Sequence, residues 1–275
     1  MKKLRFASVG DNCIDRFRAP VAQSLVGGNA VNVAVQLARL GHISYYFGAI
    51  GTDPDGFRTL ALLAENGVKV DHVQVRNGKT AFTNIEVLPS GDRVLAFEDF
   101  GVCAGYRPTP PEVEILKTMD HVHLGWMDDN GALRQVLSSA GISVSQDISV
   151  NTDVANIGVA GLSIAFGSAG SDDAAMERML QDFLSEGAAL AVVTRGEKGS
   201  VAASVSDRAS TGIVPVDVVD TTGAGDSFIA GFLSARLQGR ALDPCLAAGR
   251  DLAAETCQHV GGFPQQPMAL IDAPG

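Results

Sequence analysis

Short apolar runs alternate with segments of helical period along most of the chain, and this alternation fixes the fold class. Residues 4–9 form an apolar run that ends at Gly10, which is the signature of a buried strand. Residues 29–40 then place Ala30, Val33, Ala34, Leu37 and Leu40 at helical spacing and stop at Gly41, a helix C-terminal signal. A strand is expected over 43–50 and a helix over 55–66, closed by Gly67. Beyond Pro110 the pattern resumes, with strands over 121–124, 143–146, 162–166 and 190–194 and helices between them, for example 172–185. A hairpin is expected over 200–205 and 208–214, and two helices, 226–238 and 243–259, close the series. Strands that alternate with helices build a mainly parallel sheet covered on both faces, a doubly wound α/β fold. In such sheets ligands sit beyond the carboxyl ends of the strands.

Between residues 71 and 100 the period changes from helical to alternating, with strand patterns over 73–75, 81–88 and 94–97 and a Pro-Ser-Gly-Asp turn at 89–92. This reads as a small antiparallel insertion that caps the main layer. With 275 residues the chain is expected to form a single α/β domain, 1–275, with a small β lid built from about 12–20 and 71–103.

Composition narrows the function classes. The net charge of −10 repels polyanions, so neither nucleic acid nor an anionic membrane surface is an expected partner. Any phosphate must be held locally, by backbone amides, single cations or a metal. Cys13, Cys103, Cys245 and Cys257 lie far apart without a CxxC pair, which fits reduced, structural thiols in a cytoplasmic protein. The opening MKKLRFASVG reads as a first strand rather than a signal peptide, and no apolar stretch is long enough to span a bilayer.

The chemistry concentrates in DTTGAGDSF at 220–228. It follows a strand-like segment, 213–219, and opens an apolar helix with Phe228, Ile229, Phe232 and Leu233. Gly223, Ala224 and Gly225 let the backbone approach a ligand, and a helix start offers unpaired N–H groups and a positive dipole end, hence an anion site. Asp226 at the same terminus is either a helix cap or a base that accepts a substrate hydroxyl proton beside a migrating phosphoryl group. The glycine spacing departs from a dinucleotide fingerprint, and no GxxxxGK[ST] occurs, so the P-loop route to ATP is closed.

DTTGAGDSF resembles the C-terminal signature of the ribokinase-like (PfkB) carbohydrate kinases. GGNAVNVA at 27–34 resembles that family's N-terminal signature, GTDPDG at 51–56 its following turn, and VTRGEKG at 193–199 its nucleotide-side strand and turn. The four segments agree in order and spacing. The resemblance implies a doubly wound α/β domain with a β lid, ATP and Mg²⁺ as cofactors and a small-molecule sugar as substrate. It further implies that Asp226 is the catalytic base and that the amides of Gly223, Ala224 and Gly225 form the anion hole. Gly27, Gly28 and Asn29 would lie against the sugar, Asp11 and Asp15 would hydrogen-bond its hydroxyls, and Thr194, Gly196 and Gly199 would border the nucleotide. One element departs: where many members carry Asn-x-x-Glu, this chain has Ser168-Ala169-Gly170-Ser171-Asp172-Asp173. Asp172 stands in for the Glu as the metal-linked carboxylate.

Within the family, GDNCID at 10–15 together with GGNAVNVAV and GAGDSFIAGFL resembles the fructoselysine 6-kinase branch, which acts on a ketoamine sugar. Ribokinase, fructokinase and ketodeoxygluconate kinase activities are the alternatives within the fold; a catalytically silent sugar or nucleotide sensor is the alternative outside enzymes. Lid carboxylates Glu86, Glu98 and Asp99 either meet the substrate amine or are solvated strand charges. His121 and His123 share one face of a strand and read as core or pocket-edge histidines, and Trp126 either stacks on the sugar or packs. A lid with open strand edges invites a homodimer.

Overall fold

The computed structural model describes residues 2–87 and 93–270; the turn expected at 89–92 lies outside the described residues. The first half of the chain runs β1 (Arg5–Val9), β2 (Cys13–Phe17), β3 (Gln23–Gly27), α1 (Asn29–Arg39), β4 (Ile43–Phe47), β5 (Ala49–Gly51), α2 (Pro54–Glu65), β6 (Gln74–Arg76), β7 (Phe82–Val87) and β8 (Arg93–Asp99). It continues through α3 (Pro110–Leu116), β9 (His121–Leu124), α4 (Ala132–Ser139), β10 (Val144–Asp147), β11 (Ile164–Ser168), α5 (Asp173–Ser185) and β12 (Ala191–Thr194). The hairpin β13 (Ser200–Ala203) and β14 (Arg208–Thr211), helices α6 (Ala224–Arg236) and α7 (Leu242–Thr256), and β15 (Met268–Ala269) complete it.

Eight strands form the main sheet in the order β14-β13-β12-β11-β10-β9-β1-β4. The six from β12 to β4 are parallel, and β13 and β14 extend the sheet antiparallel. Alternate residues of β1 feed opposite faces, as the pleat requires. Phe6 joins a core with Val33, Leu37, Phe166, Phe228 and Phe232 beneath α1, α6 and α7. Ala7 and Val9 join the other, with Leu116, Leu133, Leu137, Leu180 and Phe183 from α3, α4 and α5. Strand order reverses at β1, which has β4 on one side and β9 on the other, and this is where a doubly wound sheet opens a crevice.

The lid is a five-stranded sheet, β15-β3-β2-β7-β8. It includes β3 and β15, which the alternating pattern does not reveal, and β2 pairs with β7 in parallel, so the lid is mixed rather than purely antiparallel. The 73–75 segment leaves the lid: β6 pairs with β5 in a separate two-stranded sheet. The run expected as one strand over 43–50 breaks at Gly48, where the chain passes from pairing with β1 to pairing with β6; a Cβ at Gly48 would lie 2.1 Å from the Tyr46 hydroxyl. Residues 213–219 form no strand; Val219 N–H donates to Cys257 O instead.

Candidate active site

The site gathers at the carboxyl ends of β1, β9 and β10, against the starts of α1 and α6. Gly28, which precedes α1, has no side chain to cap it. Asp11, two residues beyond β1, does so instead: its Oδ2 accepts from Asn29 N at 2.8 Å, and its Oδ1 accepts from Ala30 N at 3.4 Å. Oδ1 also accepts from Trp126 N at 3.0 Å, so one buried carboxylate joins the ends of β1 and β9 to the start of α1. Gly28 is required by this closeness: at φ 101 a Cβ would lie 2.7 Å from Asn12 Cα and 2.9 Å from Asp11 Oδ2.

With its terminus anchored, α1 directs two amides at one acid. Asn29 and Asn32 stand three apart and share a helix face. Asn29 Nδ2 donates to Asp226 Oδ1 at 2.7 Å, and Asn32 Nδ2 donates to Asp226 Oδ2 at 2.7 Å. Asn29 Nδ2 also donates to Asp147 Oδ2 at 2.9 Å, whose other oxygen accepts from Ser149 N at 2.9 Å and Ser149 Oγ at 2.6 Å. Three carboxylates, Asp11, Asp147 and Asp226, thus converge, with Asn29 touching all three. Burial pushes the Asp226 pKa up to about 7, and the negative charges of Asp147 and Asp11 push the same way against the amide donors. Desolvation likewise raises Asp11 and Asp147. Asp226 nonetheless keeps an open side, and a carboxyl poised near neutrality suits a general base.

The turn before α6 is built to hold its backbone still. Asp220 is buried, its Oδ1 accepting from Thr222 N at 2.8 Å and its Oδ2 from Gly261 N at 2.9 Å. Gly223 takes φ 74, and a Cβ on it would lie 2.3 Å from Gly262 Cα. Ala224 N already donates to Thr221 O at 3.2 Å, so its amide belongs to the turn rather than to an anion hole. Gly225 and Asp226 lie in the first turn of α6, where N–H groups have no carbonyl within the helix to meet. Gly225 is exposed, and the dipole end of α6 favours an anion there.

The remaining expected residues separate into a lid side and a sheet-end side. Gly27 marks the seam between lid and base: a Cβ there would lie 3.0 Å from Asp15 Oδ2 and 3.9 Å from Asn32 Nδ2. Asp15 on β2 pairs with Thr83 on β7, which pairs with Glu98 on β8, and Thr83 Oγ1 donates to Glu98 Oε1 at 3.3 Å. Desolvation raises the Glu98 pKa. Asp99 accepts from Gly101 N at 2.9 Å as a turn cap, and Glu86 is exposed. Trp126 stacks on Phe100 at the lid's end, with centroids 3.9 Å apart and planes 10° apart. It packs between sheet and lid.

On the other side, Thr194 ends β12 and its Oγ1 donates to Gly167 O at 3.3 Å. Gly196 has φ 54, and Gly199 has φ 83 with its would-be Cβ 1.9 Å from Thr211 O, so Gly199 lets the hairpin fold close. Arg195 and Lys198 both pair with Asp173. Asp172 caps α5, its side chain accepting from Ala175 N at 2.9 Å. Its carboxylate is thereby committed to the helix, and among the described residues no cluster of three His, Cys, Asp or Glu side chains is arranged to hold a metal. Asp172 Oδ1 thus serves the helix start, where the expectation made it a metal-linked carboxylate.

Asn32, Asp147 and Asp220 are the site residues that sequence reasoning missed. Asn32 could have been found from its spacing to Asn29, and Asp147 from its place at a strand's carboxyl end.

Comparison with known proteins places the chain in a family and a fold. The model of the pfkB family carbohydrate kinases matches residues 16–125 and 123–267. A fructoselysine 6-kinase of Shigella flexneri is 36% identical over 260 residues, covering 94% of this chain and 98% of that protein. A fructosamine kinase of Bacillus subtilis (strain 168) is 31% identical over 267 residues, covering 94% and 93%. The structure of Arabidopsis thaliana ribokinase complexed with ribose and ATP superposes with a TM-score of 0.83 at 23% identity, covering 94% of each chain, which establishes the shared fold.

Proposed function

The chain belongs to the pfkB family of carbohydrate kinases, and from that premise we propose that it transfers the γ-phosphoryl group of ATP to a primary hydroxyl of fructoselysine or a related ketoamine. The observation that carries the reading is Asp226, an aspartate with its pKa near 7 at the start of α6, aimed by two asparagine amides at 2.7 Å.

In this reading Asp226 accepts the proton of the sugar hydroxyl as that oxygen attacks phosphorus. The N–H groups of Gly225 and Asp226 face the migrating phosphoryl group, stabilising charge with dipoles already in place. Gly27, Gly28, Asn29 and Asp15 border the sugar. Asp11 acts from beneath by fixing the start of α1. Thr194, Gly196 and Gly199 border the nucleotide, and the lid keeps water from the phosphate. Mg²⁺, an ion that needs few protein ligands, would supply charge neutralisation at the phosphates when bound with ATP.

The ketoamine assignment is supported by the names of the relatives and by the Asp15–Thr83–Glu98 row, whose carboxylates suit the secondary ammonium of such a substrate. An ADP-coupled panel of fructoselysine, ribose, fructose and ketodeoxygluconate tests it. Dominant turnover of fructoselysine is expected; strong turnover of ribose or fructose with none of fructoselysine would refute it. Val94 and Phe97, 43% and 54% exposed on the edge strand β8, support pairing of two lids in a homodimer, which light scattering showing only monomer at micromolar concentration would exclude. Four unpaired cysteines fit a reducing, cytoplasmic setting.

A further inference from the structure

Behind the three carboxylates lies a single file of hydrogen bonds that the reaction as written does not use. Ser143 Oγ lies 2.8 Å from His121 Nδ1, and His121 Nε2 lies 2.8 Å from Ser145 Oγ. Ser145 Oγ lies 2.9 Å from His123 Nδ1, and His123 Nε2 lies 3.1 Å from Asn29 Oδ1. Asn29 Nδ2 then meets Asp226 and Asp147 at 2.7 and 2.9 Å. His121, His123 and Ser145 are fully buried.

The direction of this file follows from what each atom can give. Two carboxylates accept at one end, so Asn29 must turn its two N–H bonds toward them and its carbonyl toward His123. His123 Nε2 must then carry the proton, which makes its Nδ1 an acceptor for the Ser145 hydroxyl. Ser145 Oγ in turn accepts from His121 Nε2–H, and His121 Nδ1 accepts from Ser143. Every donor points toward the acids, and each ring is held as the neutral Nε2–H tautomer. Burial favours that neutrality, pushing both histidines down to about 3. Asn32 provides the contrast: it makes the same kind of bond to Asp226, but its own Oδ1 is buried with no partner. One amide is fixed from behind and the other is not.

We propose that His123 is a positioning residue for phosphoryl transfer, locking the Asn29 amide so that both of its N–H bonds serve the Asp226 and Asp147 carboxylates. The inference rests on Asp226 being the base. Without the His123 donor, Asn29 Oδ1 is left buried with no partner, and the amide, no longer held from behind, can tilt away from the two acids. The groups facing Asp226 are Asn29 and Asn32 from α1, Asp147 from the end of β10 and Asp11 from the end of β1; the causes of its shift include no cation. A displaced Asn29 amide would therefore leave the Asp226 anion among like charges with Asn32 as its one close donor.

The test is the pH profile of kcat/KM for the wild type, His123→Leu, His123→Gln and Ser145→Ala, with folding checked by thermal unfolding. Leucine fills the buried site without a donor. Glutamine can offer an N–H to Asn29 and a carbonyl to Ser145. Ser145→Ala removes the hydroxyl that His123 Nδ1 accepts from and so loosens the ring that holds Asn29, and it stands in should the leucine variant fail to fold. His123→Leu is expected to move the acid limb upward by roughly one pH unit, about tenfold in rate on that limb, with KM for ATP unchanged. Ser145→Ala is expected to shift it the same way, and His123→Gln to restore it. An acid limb unmoved in both His123→Leu and Ser145→Ala would overturn the role, as would equal loss in the leucine and glutamine variants. A wild type with no acid limb near neutrality would instead overturn the assignment of Asp226, and this inference with it.

Discussion

Replacing Asp226 with asparagine should make the protein more stable while removing its activity, and the pH dependence of the gain tests why. The native Asp226 pKa is near 7 against an ordinary 3.8, so the folded state resists ionising a group that the unfolded chain ionises freely. Between those values the native state binds more protons, and stability falls as pH rises. At ~1.4 kcal/mol per pH unit the gap corresponds to about 4 kcal/mol, an upper bound for a carboxylate with one open side. Residual hydration leaves about 1–2 kcal/mol. Asparagine escapes this cost. It can accept from Asn29 with its oxygen and donate to Asn32, whose unpartnered Oδ1 becomes available by an amide turn. Asp226→Asn is therefore expected to melt about 2–6 °C above wild type at pH 8. The advantage should shrink to roughly a third of that at pH 5, where the wild-type carboxyl is already protonated when folded. Calorimetric melting of both proteins at the two pH values gives the answer. An advantage equal at both, or a variant less stable than wild type at pH 8, would refute the reasoning.

Three further outcomes follow from particular contacts. Wild-type kcat/KM is expected to fall below about pH 7, since Asp226 must be ionised to accept a proton and its pKa lies near that value; a profile flat from pH 5.5 to 8 would exclude it as base. Gly199→Ala should destabilise by more than about 2 kcal/mol in urea unfolding, because a Cβ 1.9 Å from Thr211 O at φ 83 must displace backbone. Phe100→Ala removes the ring stacked on Trp126 at 3.9 Å and should raise KM for the sugar several-fold with little change in KM for ATP, because this contact ties the lid, not the nucleotide side, to the sheet.

The alternation of strand and helix patterns was enough to read the doubly wound sheet, because burial on both faces imposes apolar runs on every parallel strand. The strand over His121–Leu124 was legible to the residue. The lid was less so. β3 lacks a clean alternation, being buried over four of its five residues, and pairs with β2 and with the distant β15, and β6 carries the same alternating pattern as a lid strand yet finds its partner in β5. Nothing local distinguishes those partners. In the site, Asp226 and Asn29 were legible from motifs, since their neighbours dictate special backbone. Asp147 offered only its place at a strand's carboxyl end, and His123 offered nothing: it is an ordinary strand residue whose meaning arises only when β9 and β10 lie side by side beneath α1. Ala224 fails as an anion donor for a related reason, since whether an amide is free depends on how the turn before it closes on Thr221.

The most direct test of the account is the rate of ADP release by Asp226→Asn saturated with fructoselysine and ATP, measured beside calorimetric binding of the sugar. A fall of about 10²–10⁴-fold is expected, with sugar affinity close to that of the wild type. A rate near wild type would mean that Asp226 only ties α6 to α1 through Asn29 and Asn32 and that the hydroxyl proton leaves by another route.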